Sequence, residues 1–401
     1  MLVERSVLEQ REQTTLAPYA VLAGKSRGRI YPEDESRYRT AFQKDRDRVV
    51  HSNAFRRLEY KTQVFVNNQG DHYRTRLTHT LEVAQVAKSI TRALGLNEDL
   101  AETIALAHDL GHPPFGHAGE ATLDRLAKHY GDEAGFDHNK QSLRIVTKLE
   151  QRYRDFPGLN LSWEVLEGIM KHETRTSLDD ALLDARWEPN KHPSLEAQLV
   201  DLADELAYNV HDLDDGLRSG HLAGEQLTEV TLVAEMLEAL DLDPRYLGDV
   251  PTSKHNVHNA DANRYWFIRE LLGKLIEDTV VHTHMRLTQA DVQSLADIRT
   301  AGRLLAGPSA EVQAQLAELK DFLYSNLYFH YRQLRMTNKV ERLLEQLFHA
   351  YADTPKMLPL SVQQVAEDKG TIRAITDYLA GMTDRYASNE YKRLFDPQVL
   401  T

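Results

Sequence analysis

Apolar residues recur at helical spacing over most of this 401-residue chain, and no other feature limits its fold as strongly. Val83, Val86 and Ile90 are three and four residues apart, which places them on one face of a helix. A longer stripe of leucine and valine runs from residue 195 to residue 213. Strand signals are few, and only residues 63–73 have the pattern of a small β-hairpin. We therefore predict a mainly α fold with one hairpin.

Glycine and proline mark where helices end. Gly111, Pro113 and Pro114 stop the helix that contains Leu100 and Ile104, because proline lacks an amide and its ring clashes with the preceding turn. Stretches rich in turn-forming residues predict loops at residues 179–193, 216–225 and 248–263. Further helices are predicted at residues 316–328, 339–351 and 370–386.

Composition excludes several classes of protein. The chain has no cysteine, so it has no disulfides, thiolate nucleophiles or Cys-based zinc sites, and any metal must be held by His, Asp and Glu. A net charge of −13 argues against a dedicated duplex DNA binder. No apolar run reaches the ~18 residues of a membrane span, and no signal peptide is visible. We expect a cytoplasmic protein without a membrane partner.

One basic segment stands out against this acidity. Residues 37–61 hold eight basic side chains and three acidic ones. A basic patch in an acidic protein suggests an anionic ligand. A solvated face or a subunit contact is an equally good explanation of the same charges.

Histidine is concentrated where metal chemistry is most plausible. The chain has 18 histidines, and seven lie between His72 and His138. Adjacent His108 and Asp109 close one helix and can both reach one cation, while His79 lies on the apolar face of the preceding helix. Asp204 belongs to a polar stripe opposite the leucines of residues 195–213. A hydrogen-bonded core histidine and an ordinary acidic face remain the alternatives, but together these N and O ligands suit Mn, Fe, Ni, Zn or, less well, Mg.

Two levels of resemblance to known metal-dependent phosphohydrolases are present, one in the order of the candidate ligands and one in five ordered motifs. The order His79, His108-Asp109, Asp204 is similar to the ligand order of the HD superfamily of metal-dependent phosphohydrolases. The run HDLGHPPFGHAGE, residues 108–120, is narrower and resembles the deoxynucleoside triphosphate triphosphohydrolases of the bacterial dGTPase-like branch. Further matching motifs are HSNAFRRL with KTQVF (51–65), RLTHTLEV (76–83), AYNVHDLDDG (207–216) and DYLAGMTDRY (377–386).

The resemblance implies an HD-domain helical fold with a C-terminal helical lobe, and a hydrolase of dNTPs. Water would attack the α-phosphorus and release a deoxynucleoside and inorganic triphosphate. The match assigns a divalent metal (Mn²⁺ or Mg²⁺, with Fe, Ni, Co or Zn as alternatives) to His79, His108, Asp109 and Asp204. It also assigns catalysis to two residues of the run, His117 and Glu120. Glu120 would orient His117 and stabilise its charge.

The same resemblance implies contacts to the substrate. His112, His138 and Arg76 match positions near the phosphates, and the planar donor fork of arginine suits that task. The matches for the deoxyribose are Tyr208, which would pack on the sugar, and Gln63 and Asp212, which would reach the 3′-hydroxyl. Taken alone, these histidines would be turn or loop residues, and Arg76 would form an ion pair.

The chain also departs from the family pattern. Glu205 follows the metal aspartate where some relatives have a triphosphate-binding lysine, so either another base serves or Glu205 points away. Arg335 and Lys339 are candidates on charge alone. The matched region begins near residue 36, which suggests an N-terminal extension over 1–35, a phosphohydrolase core over 36–235 and a helical region over 236–401 packed on it.

The resemblance further implies a homo-oligomer, foremost a hexamer. Some members need a dNTP at an allosteric site, and Arg46 and Arg48 in the basic segment are candidates for it. Two other functions are kept open: another HD-superfamily phosphohydrolase, and a non-catalytic nucleotide or weak single-stranded nucleic-acid binder. Neither explains both the sugar-reading match and the pair His117 and Glu120.

Overall fold

The computed structural model describes residues 2–65, 73–172, 187–247 and 257–399. Within these ranges the chain forms helices and no strand, and its only bridges are the isolated pairs Arg29–Ser162, Thr62–Thr75 and Gln151–Gly158. The α-helices are α1 Arg5–Thr15, α2 Ala41–Val50, α3 Asn53–Arg57, α4 Arg76–Ala93, α5 Glu98–Ala107, α6 Gly116–His129, α7 His138–Arg144, α8 Trp163–Met170, α9 Leu195–Arg218, α10 Thr231–Ala239, α11 Val257–Gln289, α12 Leu295–Thr300, α13 Ala310–Leu323, α14 Tyr331–Asp353, α15 Leu360–Lys369, α16 Thr371–Ala380 and α17 Asp384–Phe395. The prediction of a mainly α fold is confirmed.

Side-chain caps define the starts of the three central helices. The hydroxyl of Thr75 accepts a hydrogen bond from the amide of Thr78 at the start of α4. Asn97 caps α5, where acidic residues in the first turn also favour the helix dipole. Ser194 caps α9 in the same way. Local sequence therefore determines where the site-bearing helices begin.

The central helices pack into one hydrophobic core. Ile90 of α4, Ile104 of α5 and Leu206 of α9 are fully buried in it. Helices α8, α11 and α13 cover this group and extend the same core as far as Leu327. The polar faces of α4, the end of α5 and α9 meet inside this assembly, which is where the candidate site lies.

A second hydrophobic cluster joins α6 to the C-terminal helices. Phe115, Leu123 and Leu126 pack there against apolar residues of α14, α16 and α17. We call helices α14 to α17 the C-terminal lobe. The helix that carries His117, α6, thus packs its apolar face against this lobe. The three-part division at residues 35 and 235 stays a prediction, and α10 runs through the second boundary.

Several element boundaries differ from the sequence interpretation. Residues 257–263 were expected in a loop but begin α11, whose apolar stripe of Phe267, Leu271 and Leu275 is buried in the core. Helix α9 continues through the expected loop start to Arg218. The helix expected over 370–386 is two helices, because a turn at Gly381 precedes a new cap by Thr383.

Some predicted segments fall partly outside the described residues. These are the hairpin at 66–72 and the loops at 179–186 and 248–256. The bridge between Thr62 and Thr75 closes the base of the hairpin segment, and the hairpin itself stays a prediction. No described helix combines the length and the apolar character that a membrane crossing requires.

Candidate metal and catalytic site

Three predicted metal ligands come together from three helices. His79 lies in the first turn of α4, His108 directly follows α5, and Asp204 lies in the middle of α9. Asp204 Oδ1 is 2.8 Å from His79 Nε2 and 3.7 Å from His108 Nε2. One ligand atom from each residue lies within 4.8 Å of the others, so a single cation could contact all three. We call His79, His108 and Asp204 the metal group.

The state of the two imidazoles suits a metal ion. His108 Nδ1 is 2.6 Å from the carbonyl oxygen of Ala105, which can only accept, so Nδ1 carries the proton and Nε2 presents a lone pair. His108 Nε2 is buried and has no hydrogen-bond partner among the described residues, while the His79 nitrogen beside Asp204 is Nε2, which is hydrogen-bonded to Oδ1 of that carboxylate. Burial alone would raise the pKa of Asp204, but the imidazoles around it hold that pKa well below its ordinary value. Two nitrogens and an ionised carboxylate are a fitting donor set for a divalent cation.

Asp109, the fourth predicted ligand, lies beside this group but is also engaged by other residues. Its Oδ2 accepts a hydrogen bond from Arg76 Nη1 at 3.0 Å. Its Oδ1 is 3.4 Å from His108 Nε2 and 3.1 Å from His112 Nε2. Burial disfavours the charge, yet Arg76 and these imidazoles hold the pKa of Asp109 well below its usual range. The carboxylate is therefore ionised, and Oδ1 is the oxygen that faces the metal group.

Sequence reasoning missed one further histidine at this site, His172. His172 is buried, its Nε2 is 3.7 Å from Asp204 Oδ2, and its ring is 5.0 Å from that of His108. Its Nδ1 is hydrogen-bonded to Asp201. Burial would lower the pKa of His172, but Asp201 and Asp204 raise it well above the ordinary value. The only signal in the sequence was a lone histidine after an apolar helix, which is common in protein cores.

A sharply turned segment carries the predicted catalytic residues. The chain leaves His108–Gly111, passes Pro113 and Pro114, and enters α6 through Phe115, whose φ of 66° is left-handed. Gly111 allows this turn to lie against α7, because a Cβ there would overlap the backbone of His138 and Ser142. We call residues 112–117 the catalytic turn. It places His117 in the first turn of α6 with 65% of its side chain exposed.

Glu120 links two histidines across this segment. Its Oε2 is 3.4 Å from His117 Nδ1, and its Oε1 is 2.7 Å from His138 Nδ1 and also accepts from the amide of His138. Burial opposes ionisation, but these two histidines hold the pKa of Glu120 below its ordinary value. The carboxylate is therefore available to stabilise a positive charge on His117.

His112 stacks on His138 and faces the metal group. The two rings are 3.8 Å apart and nearly parallel. Burial, with Arg76 and His138 nearby, lowers the pKa of His112 well below 6.5, so the ring is neutral. Since Nε2 donates to Asp109, Nδ1 is an acceptor, and it is buried without a partner in the described part of the chain. His112 can donate to a phosphate only if its ring gains a proton.

The residues predicted to read the sugar lie on two sides of this site. Gln63 is buried beside the catalytic turn, and its Oε1 has no partner within the described ranges. Tyr208 and Asp212 follow Asp204 on α9 at successive turns. Tyr328, which sequence reasoning did not single out, donates to Asp212 and stacks on Tyr208. Burial raises the pKa of Asp212 to about 7 against the opposing bond from Tyr328.

The remaining predicted residues lie on the surface or have other partners. Glu205 is exposed on α9, and Arg335 and Lys339 are exposed on α14. Arg48 is buried and donates to Glu33 and to two backbone carbonyls. Arg46 is within 3.1 Å of Asp99 and Glu102 and lines an open cavity of about 490 Å³ with Lys88 and Arg92. Glu33, Asp99 and Glu102 therefore neutralise part of the charge that the basic segment carries in the sequence.

Comparison with known proteins agrees with this geometry. Residues 76–209 match the HD domain family, and residues 306–393 match the phosphohydrolase-associated domain family. The fold and site therefore define an HD-domain phosphohydrolase. The chain is 47% identical over 396 residues to a deoxyguanosinetriphosphate triphosphohydrolase-like protein of Geobacter sulfurreducens, covering 99% of both chains. It is 50% identical over 388 residues to one of Azoarcus sp., covering 96% of this chain and 98% of that protein. The chain belongs to the deoxyguanosinetriphosphate triphosphohydrolase-like family.

Proposed function

We propose that this protein hydrolyses deoxynucleoside triphosphates at the α-phosphate, releasing a deoxynucleoside and inorganic triphosphate. The observation that carries the proposal is the placement of a Glu120-supported His117 on a turn that begins at the metal group. A general acid beside a cation is the pairing that expulsion of a 5′-alkoxide requires. The printed names of the relatives point to a deoxyguanosine triphosphate substrate.

The residues that would hold the metal are His79, His108, Asp109 and Asp204. When bound, a divalent cation (Mn²⁺ or Mg²⁺, with Fe, Ni, Co or Zn as alternatives) supplies Lewis acidity at a phosphate oxygen and neutralises its charge. Arg76 holds the Asp109 carboxylate by one oxygen and has further donors on the same planar fork for a phosphate.

His117 is the group that would move the proton. Its Nδ1 faces Glu120, so Nε2 is the atom free to reach the 5′ oxygen of the leaving deoxynucleoside. The ionised Glu120 stabilises the imidazolium before transfer, and His138 holds Glu120 from the other side. The exposure of His117 places it on the open side of the site, where a nucleotide can approach.

Gln63, Tyr208 and Asp212 are the proposed contacts to the deoxyribose. Gln63 has a buried oxygen without a partner among the described residues, and this oxygen can accept from a sugar hydroxyl. Asp212 accepts a hydrogen bond from the hydroxyl of Tyr328, and the ring of Tyr208 stacks on that of Tyr328. A tightly packed wall of this kind would exclude a ribonucleotide through clash at the 2′-carbon.

Product analysis tests the proposal. The purified protein is incubated with each of the four dNTPs, singly and mixed, with Mn²⁺ or Mg²⁺, and the products are separated by anion exchange. We expect deoxynucleoside and intact triphosphate, with a loss of about 100-fold to 10,000-fold in His117→Ala. His129→Ala is the matched control, since His129 is exposed at the far end of the same helix. Monophosphate with pyrophosphate, or no turnover, would contradict the proposal.

We also propose that a second nucleotide binds at the cavity lined by Arg46, within a homo-oligomer for which a hexamer is the expected size. Three cations and one carboxylate, Glu102, line this cavity, while buried Arg48 is committed to Glu33. Activity only in dNTP mixtures, abolished by Arg46→Glu, would support the proposal. Unchanged activation kinetics in that variant would remove it, and light scattering of the purified protein measures the oligomer.

A further inference from the structure

The C-terminal lobe contacts the catalytic turn through one buried carboxylate. Asp384 is the first residue of α17 and only 4% exposed. Its Oδ1 accepts from the amide of Phe115 at 2.8 Å, and its Oδ2 accepts from the amide of Thr62 at 2.9 Å and from the Thr62 hydroxyl. One side chain thus ties the entry of α6 to the segment that leads to Gln63.

A buried lysine reinforces the same junction. Lys61 is 2% exposed, and its Nζ donates to the carbonyl of His112 and, at 3.2 Å, to the carbonyl of Ala380 at the end of α16. Its own carbonyl accepts from the amide of Arg76 at the start of α4. Two residues of the catalytic turn, His112 and Phe115, are therefore both bonded at the boundary with the C-terminal lobe.

The conformation of Phe115 explains why such a contact matters. A non-glycine residue with a left-handed φ is disfavoured and persists only when its surroundings over-determine it. His117 follows two residues later, so a change of backbone angles at Phe115 would swing its side chain relative to Glu120. A bond from an amide to a carboxylate is among the stronger ways to hold such a residue.

We infer that Asp384 is a positioning residue that sets the catalytic turn, so that the C-terminal lobe orients His117. The inference rests on the proposed function for its kinetic part only. Among the described residues, Asp384 hydrogen-bonds none of the proposed metal ligands or substrate contacts; it bonds the backbone of Phe115 and Thr62, the residue before Gln63. Its removal should lower kcat and leave nucleotide affinity nearly unchanged, since a small misplacement of a catalytic group costs up to about 100-fold.

The test compares Asp384→Ala and Asp384→Asn with a matched control, Asp377→Asn. Asp377 lies in the same lobe and forms an ion pair with Arg144 of α7 at 2.5 Å, and within the described ranges no hydrogen bond joins its side chain to the catalytic turn. Amide hydrogen exchange of the peptide over residues 110–120 is measured together with kcat and KM. We expect faster exchange and a 10- to 100-fold lower kcat in Asp384→Ala, with KM within threefold. Asp384→Asn keeps one acceptor oxygen and should recover part of both.

The outcomes separate this inference from the proposed function. If Asp384→Ala and Asp377→Asn give the same exchange in residues 110–120, or lower kcat equally, the positioning role is wrong. If the wild-type protein releases no triphosphate from any dNTP, the proposed function fails and the exchange result alone decides the inference. If Asp384→Ala does not fold, Asp384→Asn carries both readouts.

Discussion

Replacing Glu120 with glutamine removes a charge at the catalytic turn while keeping the shape of the side chain. Oε2 of Glu120 is 3.4 Å from Nδ1 of His117, and its Oε1 is 2.7 Å from Nδ1 of His138. A hydrogen bond to a charged group contributes about 1.5–3 kcal/mol, and about 1.4 kcal/mol corresponds to tenfold in rate. His117 is proposed to donate a proton from its charged form, and Glu120 is proposed to stabilise that charge. Without the carboxylate we therefore expect kcat to fall about 10- to 100-fold.

A double-mutant cycle decides whether this loss passes through His117. Triphosphate release is followed by anion exchange in Glu120→Gln, His117→Ala and the double variant. If Glu120 acts through His117, the second change costs only a few-fold in the His117→Ala background. Asp124→Asn, one turn further on α6 and bonded to Lys128, should keep kcat within about twofold of wild type. A full 10- to 100-fold loss in the His117→Ala background would refute the reasoning.

Three further predictions concern stability and metal binding. Gly111→Ala should lower the free energy of unfolding by about 1–3 kcal/mol in urea, because the new methyl overlaps backbone, while Gly273→Ala has open space and should not destabilise. The pKa of Asp212 is raised to about 7, so its contribution to stability is lost as pH rises from about 4 to 7. Relative to Asp212→Asn, wild type should therefore lose up to about 3 kcal/mol between pH 5 and pH 7, and parallel pH profiles would contradict this. A chelator should lower the Tm of the wild-type protein, and added Mn²⁺ should restore it. The Tm of His108→Gln should change little in either step, and a change as large as that of wild type would argue against His108 as a metal ligand.

Much of the fold was readable from local sequence. The helical spacing of Val83, Val86 and Ile90 and the apolar stripe over residues 195–213 correctly predicted helices there, which the structure shows as α4 and α9. Helix α11 was missed at its start, because residues 257–263 have the polar composition of a loop and become helical as part of a longer element packed on α9. The composition of these few residues therefore gave a wrong prediction, because the packing of the whole helix decides their conformation.

The candidate site divides in the same way. The sequence predicted that His79, His108 and Asp204 could share a cation, and the structure brings these three side chains close enough together for that. The sequence could not indicate that Arg48 is buried against Glu33, since a cation in a basic segment has no local signal for its partner. It also gave no role to His172, which reaches Asp204 only through tertiary packing.

By itself, the sequence determined the helices, the absence of thiol ligands and the linear order of the chemical groups, because these depend on residue type and on near neighbours. Only the tertiary structure decided which distant groups share a hydrogen bond. Asp384 and Phe115 are 269 residues apart, and their contact exists because α6 packs its apolar face on the C-terminal helices. Burial of that interface brings the carboxylate to the catalytic turn, and no periodicity along the chain encodes such a meeting.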